Sequence, residues 1–538
     1  MAINGRNVAG HVLTYQYRLR VRGQAMKHPV KALQDATTMI RERLSGIANQ
    51  SERTLLLGTV LVVTSISAVI GFVLTQYFAV DVISSLLYFP EDCWRDWGAK
   101  IGRHCFSDYI WQADAALRAD PWKPYPVFLP PDYRPYNNPY SAAATVPHAA
   151  FGLLGKLLGS ARLGLLAYLL ALTAAVFSPA VWAARGARGL ERIVVFVTCG
   201  VVAIPVWTVI DRGNSLGFLV PIALVFLIAL QRRRWGLVAL MVVLASLVKP
   251  QFAVLIFALF AARQWRWGGI AAGGGVVTNL AAYLLWPQDF PGTVLQSVHN
   301  ALGSGSFQAL VLHVNVSFGK GLLLIPDAIK ANASGGVVPD GFLAGLRSQI
   351  GYVVLLVIAM SVLALGRRIS PIMVGIALLS TASLFPALSH RYYLVFVLPV
   401  AALIVRDPDG PPGCGIFDRL SALGDRRRAV GICVSIAAAL TIAQIVAPGP
   451  IVQAPIAGQM GVVGNVDTRA IIPVTTGALT PLLWLLACAA IIFSYARRPA
   501  VSVSGDLNVI GTNAPDTAGE SLPMAKDQLA ELPSESPR

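Results

Sequence analysis

Apolar residues along this chain fall in long unbroken runs, with polar residues gathered between them. The clearest runs are 54–77, 161–183, 193–210, 268–286, 349–366, 370–387, 392–405, 429–447 and 471–495. Runs near 20 residues match the length that a helix needs to cross the hydrocarbon core of a bilayer. Three shorter pieces, 216–230, 236–248 and 251–262, are separated only by 231-QRRRW-235 and 249-KP-250. They read as short, tilted or broken helices of the kind that surround a polar cavity. The pattern predicts an all-α polytopic membrane bundle of about twelve spans with large loops on one side. Val30, Leu33, Met39, Ile40, Leu44 and Ile47 sit at helical spacing among charges, which predicts an amphipathic surface helix over 31–52. Segments 145–158 and 308–326 are expected to lie in the plane of the interface, and 500–538 lacks periodicity and reads as a disordered tail.

Composition agrees: of 538 residues, 55% are hydrophobic and 13% charged, with a mean hydropathy of +0.62. The net charge of +16 comes from clusters at span ends. Nine basic residues precede or include Arg53, and Arg185, Arg188, Arg192, Arg232 to Arg234, Arg263, Arg266, Arg367, Arg368 and Arg426 to Arg428 fall on the same side when spans alternate. Excess Lys and Arg marks the cytoplasmic side, so these loops are expected inside the cell and residues 78–143 and 287–348 outside. Topology and anionic lipid headgroups account for the basic charge, and nucleic acid is not expected as a partner. The first apolar run begins more than fifty residues in and is long enough to span, so no cleavable signal peptide is expected. Four regions follow: a basic segment 1–53, a membrane core 54–405, further spans in 406–499, and the tail 500–538.

No internal repeat is visible, and P-loop, GxGxxG, HExxH and paired CxxC motifs are absent. No metal-ligand cluster and no cofactor site is expected. Of six cysteines only Cys93 and Cys105 share the first outer loop, where they are either a disulfide stapling the chain before Asp108 or two free thiols.

The candidate chemistry lies in ionisable residues that topology gathers at the outer ends of spans: Asp108 and Asp114, Asp211 and Arg212, Lys249, and His390 with Arg391. Ionisable groups beside a bilayer are costly unless paired or lining a cavity. Each has a plainer reading: Asp211 and Arg212 as a solvated turn, Lys249 as a snorkelling residue at a Pro250 helix break, Tyr392 and Tyr393 as interfacial anchors. Together they suit transfer of a sugar from a lipid phosphate, in which a carboxylate deprotonates an acceptor hydroxyl and cations hold the leaving phosphate. A transporter or flippase of a lipid-linked saccharide would use the same cations, with Asp108 in a structural role.

Five ordered segments then resemble one known group: 107-SDYIWQADAALRADPWKPY-125 with 136-YNNPYSAAATVPHAAFGLL-154; 212-RGNSLGFLVPIALVFLIAL-230; 244-LASLVKPQFAVLIFAL-259; 314-VNVSFGKGLL-323; and 383-SLFPALSHRYYLVFVLP-399. They are similar to the outer-loop Asp, the Arg-Gly-Gln-Asn type turn, the Lys-Pro break, the Asn-x-Ser element and the His-containing Leu-Pro run of the family-87 glycosyltransferases. These are integral membrane enzymes of the GT-C class that include mannosyltransferases and arabinofuranosyltransferases. The Gln of the second element is absent here, and Arg391 stands where a second His is frequent.

The resemblance implies a GT-C bundle in the bacterial cytoplasmic membrane with its active site facing outward. It implies a polyprenyl-phosphate sugar as donor, mannose first and arabinofuranose as the alternative, and a glycolipid or polysaccharide as acceptor. Asp108 corresponds to the family's base in an inverting displacement. Lys249, His390, Arg391 and Arg212 are the candidates for the donor phosphate, and Tyr109, Trp111, Tyr125 and Asn214 for sugar or acceptor contacts, with Trp122 as a further stacking candidate.

Overall fold

A computed structural model describes residues 50–78, 106–129, 134–303, 307–312, 314–455 and 467–500. The amphipathic helix expected over 31–52, except for its last residues, the Cys93 and Cys105 pair, and the expected tail beyond 500 lie outside the described residues.

From the N-terminal side, α1 (Glu52–Phe78) is followed by α2 (Ser107–Ala116), the strands β1 (Tyr125–Leu129) and β2 (Arg134–Tyr136), α3 (Ala142–Leu157) and α4 (Ala161–Ala184). Next come α5 (Gly189–Phe196), α6 (Ile204–Arg212), α7 (Leu219–Gln231), α8 (Trp235–Val248), α9 (Trp265–Ala282) and α10 (Phe290–Gly303). The chain closes with α11 (Ala344–Leu365), α12 (Pro371–Leu384), α13 (Val397–Val405), α14 (Arg428–Ile442), β3 (Val446–Pro455), β4 (Asp467–Thr475) and α15 (Thr480–Arg497). The protein is therefore dominantly helical and membrane-embedded in character. Five helices, α1, α4, α9, α11 and α15, are long and apolar enough to cross a membrane, and α5 with α6 makes a sixth candidate bent by 45°. Six further apolar helices of 10–17 residues are shorter.

The long helices lie outside and the short ones inside. In α1 and α9 only 22% and 17% of the apolar window is buried by protein. By contrast α13 is buried at every position, and α12 from Ile372 to Leu384. A helix that is apolar all round is one that protein surrounds. At 14 residues, α8 and α12 each rise roughly 21 Å, well short of the hydrocarbon thickness of about 30 Å. Their ends therefore stop within the protein, and what stops them is proline chemistry. Lys249 precedes Pro250, and a residue before proline is pushed out of the α region; its backbone is extended at φ −151, ψ 123. Pro386 follows the last turn of α12, although Phe385 before it keeps an α-region backbone at φ −75, ψ −31.

Two antiparallel hairpins depart from the all-helical expectation, β1 with β2 and β3 with β4. The span expected over 471–495 opens as strand and becomes helix only at Thr480. Pro448, Pro450, Pro455 and Pro473 forbid a helix here, and a two-stranded ribbon tolerates them because each strand has a free edge. The in-plane helix expected over 308–326 is broken into Phe307–Val311, Phe318–Leu322 and the start of Leu324–Ala333. Residues 145–157 are helical, as part of α3.

The basic loops meet at one end of the bundle. Arg53 donates to the Gly413 carbonyl at 2.8 Å and pairs with Glu191 at 2.6 Å. Arg428 pairs with Glu52, Arg232 and Arg419 share Asp409, and Arg427 joins Asp425 while lying 3.6 Å over the Tyr495 ring. Arg406 donates to the Trp182 carbonyl, and the Ala500 amide donates to the Arg368 carbonyl.

Candidate functional site

Four chain breaks converge away from that arginine end. At the first, Phe106 takes a left-handed conformation, φ 47 and ψ 39, which turns the chain into α2 and puts Asp108 in its first turn. A carboxylate there is favoured by the helix dipole. The second break ends α6: Arg212 occupies the last turn and Gly213 caps it at φ 62. Glycine is required there twice over, since a Cβ would also lie 2.9 Å from that of Tyr109. Asn214 then caps the next 3₁₀ turn, its Oδ1 accepting from the Leu216 amide at 2.9 Å, so that its Nδ2 points back toward α2. The third and fourth breaks are Lys249-Pro250 and the segment from Phe385 to His390.

Asp108 is the centre. Arg212 Nη2 donates to its Oδ1 at 2.9 Å and Arg212 Nε to its Oδ2 at 3.4 Å; Asn214 Nδ2 donates to Oδ2 at 2.6 Å. The same Asn214 amide donates to the Tyr140 hydroxyl at 3.0 Å. The Lys249 ammonium lies 3.5 Å from the centre of the Tyr140 ring. Arg212 is 6.0 Å from the ring of Tyr392, which stacks on His390 at 5.3 Å and on Tyr393 at 5.1 Å. Lys249 is within electrostatic reach of Asp108, and His390 of both Arg212 and Lys249. Gln251 ties two breaks together: its Nε2 donates to the Ala382 carbonyl at 2.9 Å, and its Oε1 accepts from the Tyr393 hydroxyl at 3.5 Å.

Burial pushes the Asp108 carboxyl up to about 6, against the opposing effects of the Asn214 hydrogen bond and the Lys249 charge. A carboxylate offers about four lone-pair sites, and the three donors leave it room to accept one more proton. It is thus ionised at neutral pH, but more basic than an ordinary aspartate.

The cations differ sharply in how they are used. Arg212 is engaged by Asp108, at side-chain exposures of 13% and 14%. Lys249 and His390 are half-buried and Arg391 is buried. Among the described residues none of these three side chains has a hydrogen bond or ion pair to protein. Burying a polar or charged group without a hydrogen bond is costly, so three donors held this way have their hydrogen-bonding capacity free for an anion.

The fourth break is held by Asn315, which is 1% exposed. Its Nδ2 donates to the Leu310 and Ala387 carbonyls, each at 2.9 Å, and its Oδ1 accepts from the Ser317 and Ser389 amides, each at 3.0 Å. An isolated β-bridge joins it to His390. Next to this clamp, Arg347 and Lys320 both pair with the buried Asp327.

The remaining sequence candidates lie elsewhere. Tyr109 packs against Gly213 and lies 4.5 Å from the Tyr168 ring; it borders a cavity of about 610 Å³ between α2 and the α3–α4 turn. Trp111 is buried. Trp122 packs on Tyr283 and Trp286 and donates to the Tyr140 carbonyl at 2.8 Å, which makes it a brace for the site. Tyr125 is in β1, and its side chain is outside the described residues. Asp114 pairs with Arg118. Among the described residues no group of three or more His, Cys, Asp or Glu side chains could hold a metal ion. Tyr140, Gln251 and Asn315 carry site contacts that sequence reasoning missed. Asn315 had a signal in its Asn-x-Ser element, whereas Tyr140 was one aromatic among many in its loop.

No protein-family model matches this chain, and no curated protein matches it.

Proposed function

We propose that this protein is an integral membrane glycosyltransferase that moves a sugar from a polyprenyl-phosphate donor to a glycolipid or polysaccharide acceptor. The observation that carries the reading is the contrast around Asp108: a half-buried, ion-paired carboxylate stands beside Lys249 and His390, whose side chains touch aromatic rings but have no hydrogen bond or ion pair to protein among the described residues. A leaving phosphate supplies the missing anion, and charge-assisted hydrogen bonds to phosphate are strong. In the reaction the acceptor oxygen attacks the anomeric carbon and its proton passes to Asp108. The new glycosidic bond forms as the bond from the anomeric carbon to the phosphate oxygen breaks, its electron pair leaving with the phosphate. Arg212 and Asn214 hold the carboxylate in place, Lys249 and His390 receive the phosphate, and Arg391, the neighbour of His390, is a further candidate for it.

The ordered segments that resemble family-87 glycosyltransferases support the same reading. So do the short helices, whose breaks cluster at the site; with them counted as spans the bundle has about twelve, as expected of a GT-C enzyme. The basic loops at the opposite end from Asp108 are those expected in the cytoplasm, which would put the site on the outer face of the cell membrane. Mannose is the first choice of sugar and arabinofuranose the second.

The test is transfer by the purified protein in detergent, with each labelled polyprenyl-phosphate sugar offered in turn. Wild type forms a new glycosidic bond and Asp108→Asn does not, at unchanged thermal stability. Full turnover by Asp108→Asn would remove Asp108 as the base. Movement of lipid-linked saccharide across sealed vesicles without a new bond would replace transfer by flipping.

A further inference from the structure

Tyr140 touches both halves of the site and belongs to neither set of candidate groups. It is held from behind: its amide donates to Asn138 Oδ1 at 3.0 Å, and its carbonyl accepts from Trp122 Nε1 at 2.8 Å. Its buried ring then reaches Lys249, whose ammonium is 3.5 Å from the ring centre. Its hydroxyl accepts from Asn214 at 3.0 Å, and the second use of that same amide is Asp108 at 2.6 Å. One side chain therefore touches both Lys249 and the amide that holds the carboxylate.

The chemistry of the two contacts suits that place. A carboxylate partner for Lys249 would neutralise it and occupy its donors. An aromatic face attracts an ammonium through the ring quadrupole and leaves both its charge and its N–H groups for an incoming anion. A hydrogen bond to the tyrosine oxygen fixes the Asn214 amide, and through it one oxygen of Asp108, without adding charge near the base.

We infer that Tyr140 is a positioning residue of the transfer site: its ring sets where Lys249 meets the donor phosphate, and its hydroxyl, through Asn214, sets where Asp108 meets the acceptor oxygen. This rests on the glycosyl-transfer reading above.

Two variants separate the two contacts. The full chain in lipid nanodiscs is assayed for affinity to plain polyprenyl phosphate, and for transfer from polyprenyl-phosphate mannose or arabinofuranose to an octyl mannoside. Tyr140→Phe keeps the ring, so phosphate affinity and donor KM stay within about twofold, while kcat falls roughly three- to tenfold for one lost buried hydrogen bond. Tyr140→Leu removes both contacts and also raises the polyprenyl-phosphate Kd and donor KM roughly tenfold, as expected of a partly desolvated cation–π contact. Lys249→Gln asks the same question with the tyrosine untouched; in that background Tyr140→Leu should change the Kd by less than about twofold, since the two residues act through one contact.

If Phe and Leu lose affinity and turnover equally, or if the Lys249→Gln and Tyr140→Leu losses simply add, Tyr140 is packing alone and the inference falls. A wild type that neither binds polyprenyl phosphate nor transfers either sugar overturns the glycosyl-transfer reading, and this inference with it. A wild type that binds the phosphate but uses a different acceptor still leaves the affinity arm to decide the role of the ring.

Discussion

The two ends of the bundle treat buried charge in opposite ways. At the arginine end, Arg427 at 6% side-chain exposure meets Asp425 at 4%, and Arg53 and Arg428 find Glu191 and Glu52. At the Asp108 end, one arginine meets the carboxylate, while the side chains of Lys249, His390 and Arg391 have no hydrogen bond or ion pair to protein among the described residues. Charges paired within the protein join loops and hold the fold. Basic groups held out of water without a hydrogen bond or ion pair cost stability and are retained where something else uses them. The prediction that separates the ends is therefore one of readout: substitutions at the first move thermal stability, and those at the second move ligand affinity and turnover.

The largest effect belongs to Asp108. General-base catalysis is worth on the order of 10²–10⁴ in rate, so Asp108→Asn should lower kcat by about a thousandfold in the transfer assay. The pH dependence has a sign that can be worked out. With its carboxyl raised by burial to about 6, Asp108 is ionised above that value. Activity should fall about tenfold per pH unit below it. Stability should run the other way. A carboxyl whose folded pKa exceeds its ordinary value of 3.8 binds more protons when folded, so its protonation between about 6 and 4 favours the native state. Opposite slopes of turnover and melting temperature over that window would mark Asp108 as a strained functional group; parallel slopes would mark it as structural.

The next effect tests the paired side of the comparison on a cluster close to the site. Arg347 is 1% exposed and pairs with Asp327, which Lys320 also reaches. Breaking a buried ion pair costs about 3–5 kcal/mol. Because Lys320 remains, Arg347→Met should sit near the lower end, read as a lowered unfolding midpoint. Donor KM in the folded fraction should hardly move, because no site group touches Arg347. Asn315→Ala is the intermediate case. Two of its four hydrogen bonds, to Ala387 and Ser389, hold the segment that carries His390 and Arg391, and the loss of side-chain bonds worth about 1 kcal/mol each should appear both as lower stability and as a higher donor KM.

How much of this was legible in the sequence follows from the physics of each part. The helices were legible because apolar runs and proline breaks are local signals. Lys249-Pro250 placed a cation at a helix end by itself, and the structure has that end where the dipeptide implies. Asp108, Arg212 and His390 were visible as ionisable residues at the ends of apolar runs, and Asn214 only through its turn motif, as a sugar or acceptor contact; the structure brings them together with Lys249, with Asn214 on the carboxylate. What was not legible depended on distance in the chain. Tyr140 matters because Asn214, 74 positions away, and Lys249 both come to it. Asn315 matters because it meets Ser389 at the same remove. The strands β3 and β4 were hidden inside apolar sequence whose prolines decide against helix only when each is weighed in place.

The smallest expected effect returns to the arginine end. Arg232 bridges to Asp409 at 2.7 Å, but their side chains are 34% and 37% exposed. Exposed ion pairs contribute roughly 0.2–1 kcal/mol and are screened by salt. Arg232→Gln should therefore lower the unfolding midpoint only slightly, and the difference from wild type should shrink further at high ionic strength. Arg427→Gln, at the same end but buried against Asp425 and the Tyr495 ring, should cost several times more and keep most of that cost in salt. Neither variant should alter donor KM. If Arg232→Gln instead weakened the binding of polyprenyl phosphate, the division of labour between the two ends would be wrong, and the arginine loops would have to be counted as part of the ligand's path.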